Sequence, residues 1–253
     1  MATSANGFRD HFSGHAADYA SSRPLYPAAL YDWLAAQSPG REQAWDAGCG
    51  NGQASCELAA RYAQVYASDP SAEQVAAARR LHNIRYAVEA AERCSLPDAC
   101  TDLVTVAQAM HWFDVPVFQA QARRILRPGG VFAAWTYAKS TVTPEVDLPF
   151  GRLHDELLED WWPDGRLDAL NGYANLPFAF ERIAGVPAFA MRCDWNYAQF
   201  TAYLRSWSAC QRYARATGKD ALDLIDRELR EAWGDLAQIR TVSWPLTVHA
   251  GRT

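Results

Sequence analysis

The residues that could do chemistry in this sequence begin at positions 44–54, AWDAGCGNGQA. Three glycines, Gly48, Gly50 and Gly52, alternate directly after a short apolar run ending in Asp46. Glycine lets a chain turn tightly and lets a ligand approach the backbone without meeting a Cβ. Such a loop between a strand and a helix is either a plain turn or a cradle for a nucleotide-like ligand. A dinucleotide loop reads GxGxxG. Here the spacing is GxGxG and Gln53 stands where the third glycine belongs, which makes a pyrophosphate the weaker ligand expectation. A second acid, Asp69, ends the next apolar run, QVYAS. That is where a carboxylate accepts hydrogen bonds from ribose hydroxyls. Its plain alternative is a capping aspartate ahead of Pro70.

A second constellation follows the apolar run DLVTVA. His111 there could act as a base or hydrogen-bond a substrate, or it could merely anchor its loop. Trp112 could wall a pocket, or it could be ordinary packing. Further along, Trp161, Trp162, Arg205, Trp207, Gln211, Arg212 and Tyr213 would suit an acidic or aromatic substrate. The competing reading is an amphipathic helix with a solvated arginine side. His11 and His15 have a spacing that can bind a metal on a helix, but no third ligand accompanies them, so no metal site is expected.

The elements that must position these residues follow from periodicity. Residues 28–36 read as a helix, with a helical stretch before it carrying Phe8, Phe12 and Tyr19. Strands are expected at 43–46, 64–68, 83–88, 102–107 and 131–137. Between them come helices at 52–62, from Ser71, and from Asp114 with Phe118, Ala122, Ile125 and Leu126 on one face, stopped by Arg127-Pro128-Gly129-Gly130. Strands separated by helices argue a parallel sheet covered on both faces. Beyond Ser140 the alternation fails. Helices are expected at 145–159, 199–213 and 221–233, and strands at 178–183, 188–195 and 240–249, as additions that extend the sheet and cover one end.

The 253 residues suit one large domain, and the net charge of −5 gives no compositional support for binding nucleic acid or anionic membranes. No run approaches a membrane span, and the first residues lack the apolar core of a signal peptide. The six cysteines include no CxxC pair, so a reduced, cytoplasmic protein is expected, with oligomeric state left open.

DAGCGNG, Asp69, Ala91-Glu92, DLVTVAQAMHWFD and ILRPGG together resemble the class I methyltransferases that use S-adenosylmethionine. YASSRPLYP and AQAMHWFD make the chain similar to a small-molecule subgroup that includes trans-aconitate methyltransferase-like proteins. The resemblance implies a Rossmann-like, doubly wound seven-stranded α/β sheet, with a helical lid at 1–39, a cofactor-binding core at 40–139 and a substrate-side insertion at 140–253. It implies that Asp46 and the backbone at Gly48, Cys49, Gly50 and Gly52 hold the methionine part and Asp69 the ribose. Ala91 and Glu92 would flank the adenine, and Gln108 would sit beside the sulfonium. Tyr19 and Arg23 would close over the cofactor, with Tyr26. His111 is then the candidate catalytic residue, and Trp112, Trp161, Trp207 and Arg212 the candidate substrate contacts. Where the family often reads LPFPD this chain reads CSLPD, at Cys94–Asp98, which changes the adenine wall. The expected activity is methyl transfer to a small molecule, by O-methylation of a small acid or hydroxylated compound, leaving S-adenosylhomocysteine. Its rivals are a non-catalytic regulatory protein that binds the same cofactor and a nicotinamide-dependent oxidoreductase.

Overall fold

The computed structural model describes residues 24–163 and 166–253. Tyr19, Arg23, His11 and His15 lie outside the described residues. Among the described residues eight strands form one sheet: β1 (Gln43–Ala47), β2 (Gln64–Asp69), β3 (Ile84–Val88), β4 (Thr101–Ala107), β5 (Leu126–Tyr137), β6 (Glu181–Arg182), β7 (Phe189–Trp195) and β8 (Arg240–Arg252). Their spatial order is β3-β2-β1-β4-β5-β8-β6, with β7 also paired to β8. The first five strands are parallel, and β8 runs antiparallel to β5, β6 and β7. The resemblance implies seven strands; the eight found correspond to the eight runs read from periodicity, and β8, at 13 residues, is long enough to pair with β5, β6 and β7. Its second half pairs with β5 and its first half with β7. The expected strand at 178–183 contracts to Glu181–Arg182, on which Arg252 and Gly251 close the edge.

The sheet is buried on both faces, and alternation within single strands sorts the core. Leu103, Val131, Ala133 and Trp135 join Leu30, Leu34 and Leu58 on one face. Val104, Val106, Phe132 and Ala134 join Trp45, Phe118 and Ile125 on the other. Helix α1 (Ala28–Gln37) lies on the first face, where Tyr26 and Tyr31 meet Trp135 edge-on with ring centroids 5.5 and 5.9 Å apart. Next in chain order come α2 (Gln53–Ala59), α3 (Ala72–Ala77) and α4 (Val115–Ile125). In α4 the Asp114 side chain accepts from the Val117 amide, and Phe118, Ala122 and Ile125 are buried. The RPGG sequence ends α4 as expected but lies inside β5, where it makes an irregularity in the pairing with β4.

The second half departs more from its periodicity. α5 (Pro144–Arg152) gives way to a π-helical turn, Leu153–Leu157, instead of continuing to 159. α6 (Arg166–Leu170) is short. The expected helix at 199–213 is two, α7 (Tyr197–Arg205) and α8 (Ser208–Thr217), broken at Ser206-Trp207. The Asn196 capping box starts α7 two residues early. The last helix begins with a 3₁₀ turn, Ala221–Leu224, before α9 (Asp226–Trp233). No helix among the described residues is long and apolar enough to cross a membrane.

Candidate functional site

Strand order reverses between β1 and β4, so a crevice opens at their carboxyl ends. The glycine loop lies there. Gly48, Gly50 and Gly52 all have positive φ, at 68°, 53° and 84°. A Cβ on Gly48 would stand 2.8 Å from the Ala109 Cβ and 2.9 Å from the Phe113 ring. A Cβ on Gly50 would project into open space and meet only Gln74 Oε1, at 3.8 Å. One glycine thus permits close packing against the segment after β4, and the other leaves the cradle open.

The loop amides point inward. Gly48 and Cys49 donate to the Ser68 carbonyl at 2.8 and 3.0 Å, and Gly52 donates to the Cys49 carbonyl at 2.9 Å. Gly50 donates to Asp69 Oδ2 at 2.9 Å. A pyrophosphate needs a nest of free donors. Here the amides of Gly48, Cys49, Gly50 and Gly52 are spent within the protein.

Asp69 serves as the tie for this loop. Its Oδ2 accepts from Gly50 and its Oδ1 from the Ser71 amide, at 2.9 Å each. Asp46 lies beneath the loop, fully buried, and not at its mouth. It accepts from Ser55 at 2.6 Å and Thr105 at 3.2 Å. Burial pushes its carboxyl up to about 6 despite those bonds. Cys49 is buried, which raises its thiol pKa and keeps it protonated. Ala91 is buried at a 3₁₀ turn, and the Glu92 carboxylate accepts from the Asp114 amide at 2.8 Å, holding the start of α4. Gln108 has φ 54°, and its side-chain amide exchanges hydrogen bonds with the Tyr137 backbone, joining the ends of β4 and β5. Gln53 was missed as a contributor. Its side chain donates to the Pro24 carbonyl at 2.9 Å, tying the entering chain to the loop.

Beside Gln108 a cavity of about 190 Å³ opens between the sheet and the second half. His111, Trp112 and Trp207 line it, as does Trp162. Trp161 and Arg212 do not. Trp161 packs edge-on against Tyr213, and the helix break at Ser206-Trp207 turns Gln211 and Arg215 to the cavity in place of Arg212. Among the described residues Lys139, Arg166 and Arg215 line the cavity and no carboxylate does. His154, on the π turn, lies between the rings of Trp162 and Trp207. Its Nδ1 is 2.7 Å from Asp155 and 3.0 Å from Arg166. Lys139 pairs with the same Asp155. Periodicity hid this group because a π turn re-aims side chains without a sequence signature. Burial lowers both His111 and His154 to about 4, so both are uncharged at neutral pH.

The model of the methyltransferase domain family matches residues 45–134. A candidate methyltransferase of Dictyostelium discoideum is 30% identical over 230 residues, covering 89% of this chain and 87% of its own length. A candidate S-adenosylmethionine-dependent methyltransferase of Saccharomyces cerevisiae is 31% identical over 257 residues, covering 85% and 87%. The structure of a candidate type II methyltransferase from Anaeromyxobacter dehalogenans superposes with a TM-score of 0.85 at 44% identity, over 91% of this chain and 97% of that one. The matched span holds the glycine loop, Asp69, Gln108 and His111, and its cofactor is S-adenosylmethionine. This chain belongs to the class I S-adenosylmethionine-dependent methyltransferases.

Proposed function

We propose that the protein methylates an oxygen of a small molecule that carries an acidic group. The observation that carries this reading is the cavity beside Gln108 and His111, whose lining among the described residues has three cations and no carboxylate. Same-sign charge in a low-dielectric cleft concentrates ligands of the opposite sign. Trp112, Trp162 and Trp207 add an apolar wall for the substrate's body. The cavity holds a compact molecule and not a folded partner.

S-adenosylmethionine supplies an electrophilic methyl when bound. In this reading the loop from Gly48 to Gly52 and Gln108 hold its methionine end. Asp69, at the end of β2, is the ribose acceptor in this reading. Ala91 and Glu92 flank the adenine. Alignment of the accepting oxygen with the methyl supplies much of the rate. Residues 140–253 serve as the substrate-side addition.

The test is a screen of small acids, phenols and hydroxy acids with methyl-labelled cofactor. The reading expects a product one methyl group heavier from an acidic member, with its neutral analogue a much poorer substrate. Turnover of neutral or cationic compounds only would overturn it.

A further inference from the structure

The three cations in the cavity wall are not equally placed to meet a ligand. Lys139 has a single charged nitrogen, and it pairs with Asp155. Arg215 is exposed in the last turn of α8, where its Nε donates to the Gln211 carbonyl at 3.2 Å. Arg166, at the start of α6, has a side chain only 16% exposed.

The Arg166 guanidinium is held from two directions. Its plane lies over the Trp162 ring, 4.8 Å from the centroid. Its Nη2 donates to the His154 carbonyl at 3.2 Å, and lies 3.0 Å from His154 Nδ1 and 3.5 Å from Asp155 Oδ1. The same carbonyl accepts from Trp162 Nε1 at 2.9 Å, so one oxygen of the π turn ties both the arginine and the ring beneath it. Nε is buried with no hydrogen-bond partner among the described residues. Burying a donor unpaired is unfavourable, so the ring and the Nη2 contacts hold the group in place against that cost. Nη1 has no hydrogen-bond partner among the described residues either. Arg166 lines the cavity, so Nη1 is the nitrogen left to meet a ligand there.

Asp155 is outside that lining. Its Oδ2 takes Lys139, and its Oδ1 stands 2.7 Å from His154 Nδ1 and 3.5 Å from Arg166 Nη2. A carboxylate near an anion site ordinarily weakens it by repulsion. This one neutralises Lys139 and helps to anchor the end of Arg166 that faces away from the ligand.

We propose that Asp155 is the positioning residue of an anion site in which Arg166 Nη1 receives the acidic group of the substrate, with Trp162 setting the plane of the guanidinium. This assignment rests on the proposed acidic substrate and deepens it, naming where the acid group binds and what holds its binder. One fixed cation with one open nitrogen suits one singly charged group, so the ligand class is a compact monocarboxylate with an apolar body for Trp162 and Trp207. Lysine cannot stand in for this arginine. An ammonium has one nitrogen, which Asp155 would take as it takes that of Lys139.

The test is calorimetry of the full chain saturated with S-adenosylhomocysteine, using benzoate as the anionic probe and benzamide as its neutral counterpart. Benzoate should bind in preference to benzamide. Arg166→Lys should lower benzoate affinity about tenfold, as Arg166→Met does, although it keeps the charge. Asp155→Asn adds a net positive charge beside the cavity, and charge alone would then tighten benzoate binding. Positioning predicts the opposite, benzoate affinity about fivefold weaker, with benzamide and S-adenosylhomocysteine within about twofold of their unmutated values. Equal affinity of the two probes for the unmutated chain would overturn the proposal. So would undiminished benzoate affinity in Arg166→Lys, tighter benzoate binding in Asp155→Asn, or a parallel loss of both probes there. Should Asp155→Asn unfold, the two Arg166 variants decide. Because binding is read without turnover, the two failures separate. Benzoate affinity that survives Arg166→Lys removes this site and leaves the acidic-substrate reading, whereas a screen that turns over only neutral compounds removes that reading.

Discussion

The cofactor half and the substrate half of this molecule are held together in different ways. From β1 to β4 the site is made of backbone. Loop amides donate to Ser68 and Asp69, and glycines take the dihedrals that no other residue takes cheaply. From Lys139 to Arg215 it is made of side chains that meet across long stretches of chain: Asp155 with Lys139 and Arg166, and His154 between Trp162 and Trp207. A ligand recognised by backbone tolerates many side chains nearby. A ligand recognised by side chains changes when any of them does. In the proposed reading the first half sets the cofactor and the second sets what receives the methyl.

The comparison breaks most visibly at Gly48. In Gly48→Val a β-branched residue must adopt φ 68°, which costs about 1–3 kcal/mol, and its Cβ would press on Ala109 and Phe113. Calorimetry should find S-adenosylhomocysteine affinity lower by roughly a hundredfold. Asp69→Ala leaves the Gly50 and Ser71 amides without their acceptor. It should weaken the same binding by about 1–3 kcal/mol, and unchanged affinity in the folded variant would remove Asp69 from the cofactor site.

Acid stability separates buried groups of the two halves. His111 and His154 drop from 6.5 to about 4 on folding, while Asp46 rises from 3.8 to about 6. Between pH 4 and 6 the unfolded chain thus holds two imidazole protons that the folded chain lacks, and the folded chain holds one carboxyl proton that the unfolded chain lacks. The net of one proton makes these groups raise stability with pH by about 1.4 kcal/mol per unit in that window. Asp46→Asn removes the opposing group, so urea midpoints across the window should steepen toward about twice that slope. On the substrate side, Arg166→Met should raise KM for an acidic substrate about tenfold while S-adenosylhomocysteine binds as before. Trp161→Ala, outside the cavity, should cost about 1 kcal/mol of stability and leave KM unmoved.

The same contrast explains what could be read from the sequence. The order of strands and helices up to Tyr137 follows from apolar runs of period two and helical faces such as Phe118, Ala122 and Ile125, which are local signals. Asp46, Asp69 and the glycines stand out by type and spacing. What local signals lack is the second partner. Nothing near Gln53 announces its bond to Pro24, and nothing near Tyr173 announces His111, 62 residues away. The π turn at 153–157 and the break at Ser206-Trp207 shift the helical face by a fraction of a turn. That is why, of the residues periodicity offered, Trp162 and Gln211 reach the cavity and Trp161 and Arg212 do not, while Arg215 enters it unannounced. Each of the eight strands is legible as a run, but that β8 joins β5, β6 and β7 is a tertiary fact.

The most direct test is a pair of calorimetric titrations of the purified protein, one with S-adenosylhomocysteine and one with NADH. The account predicts micromolar binding of the first, at one site per chain, and none of the second, because the loop holds its amides for Ser68 and Asp69. Binding of NADH in preference, or of neither, would contradict the claim that this loop is a methyl-donor cradle.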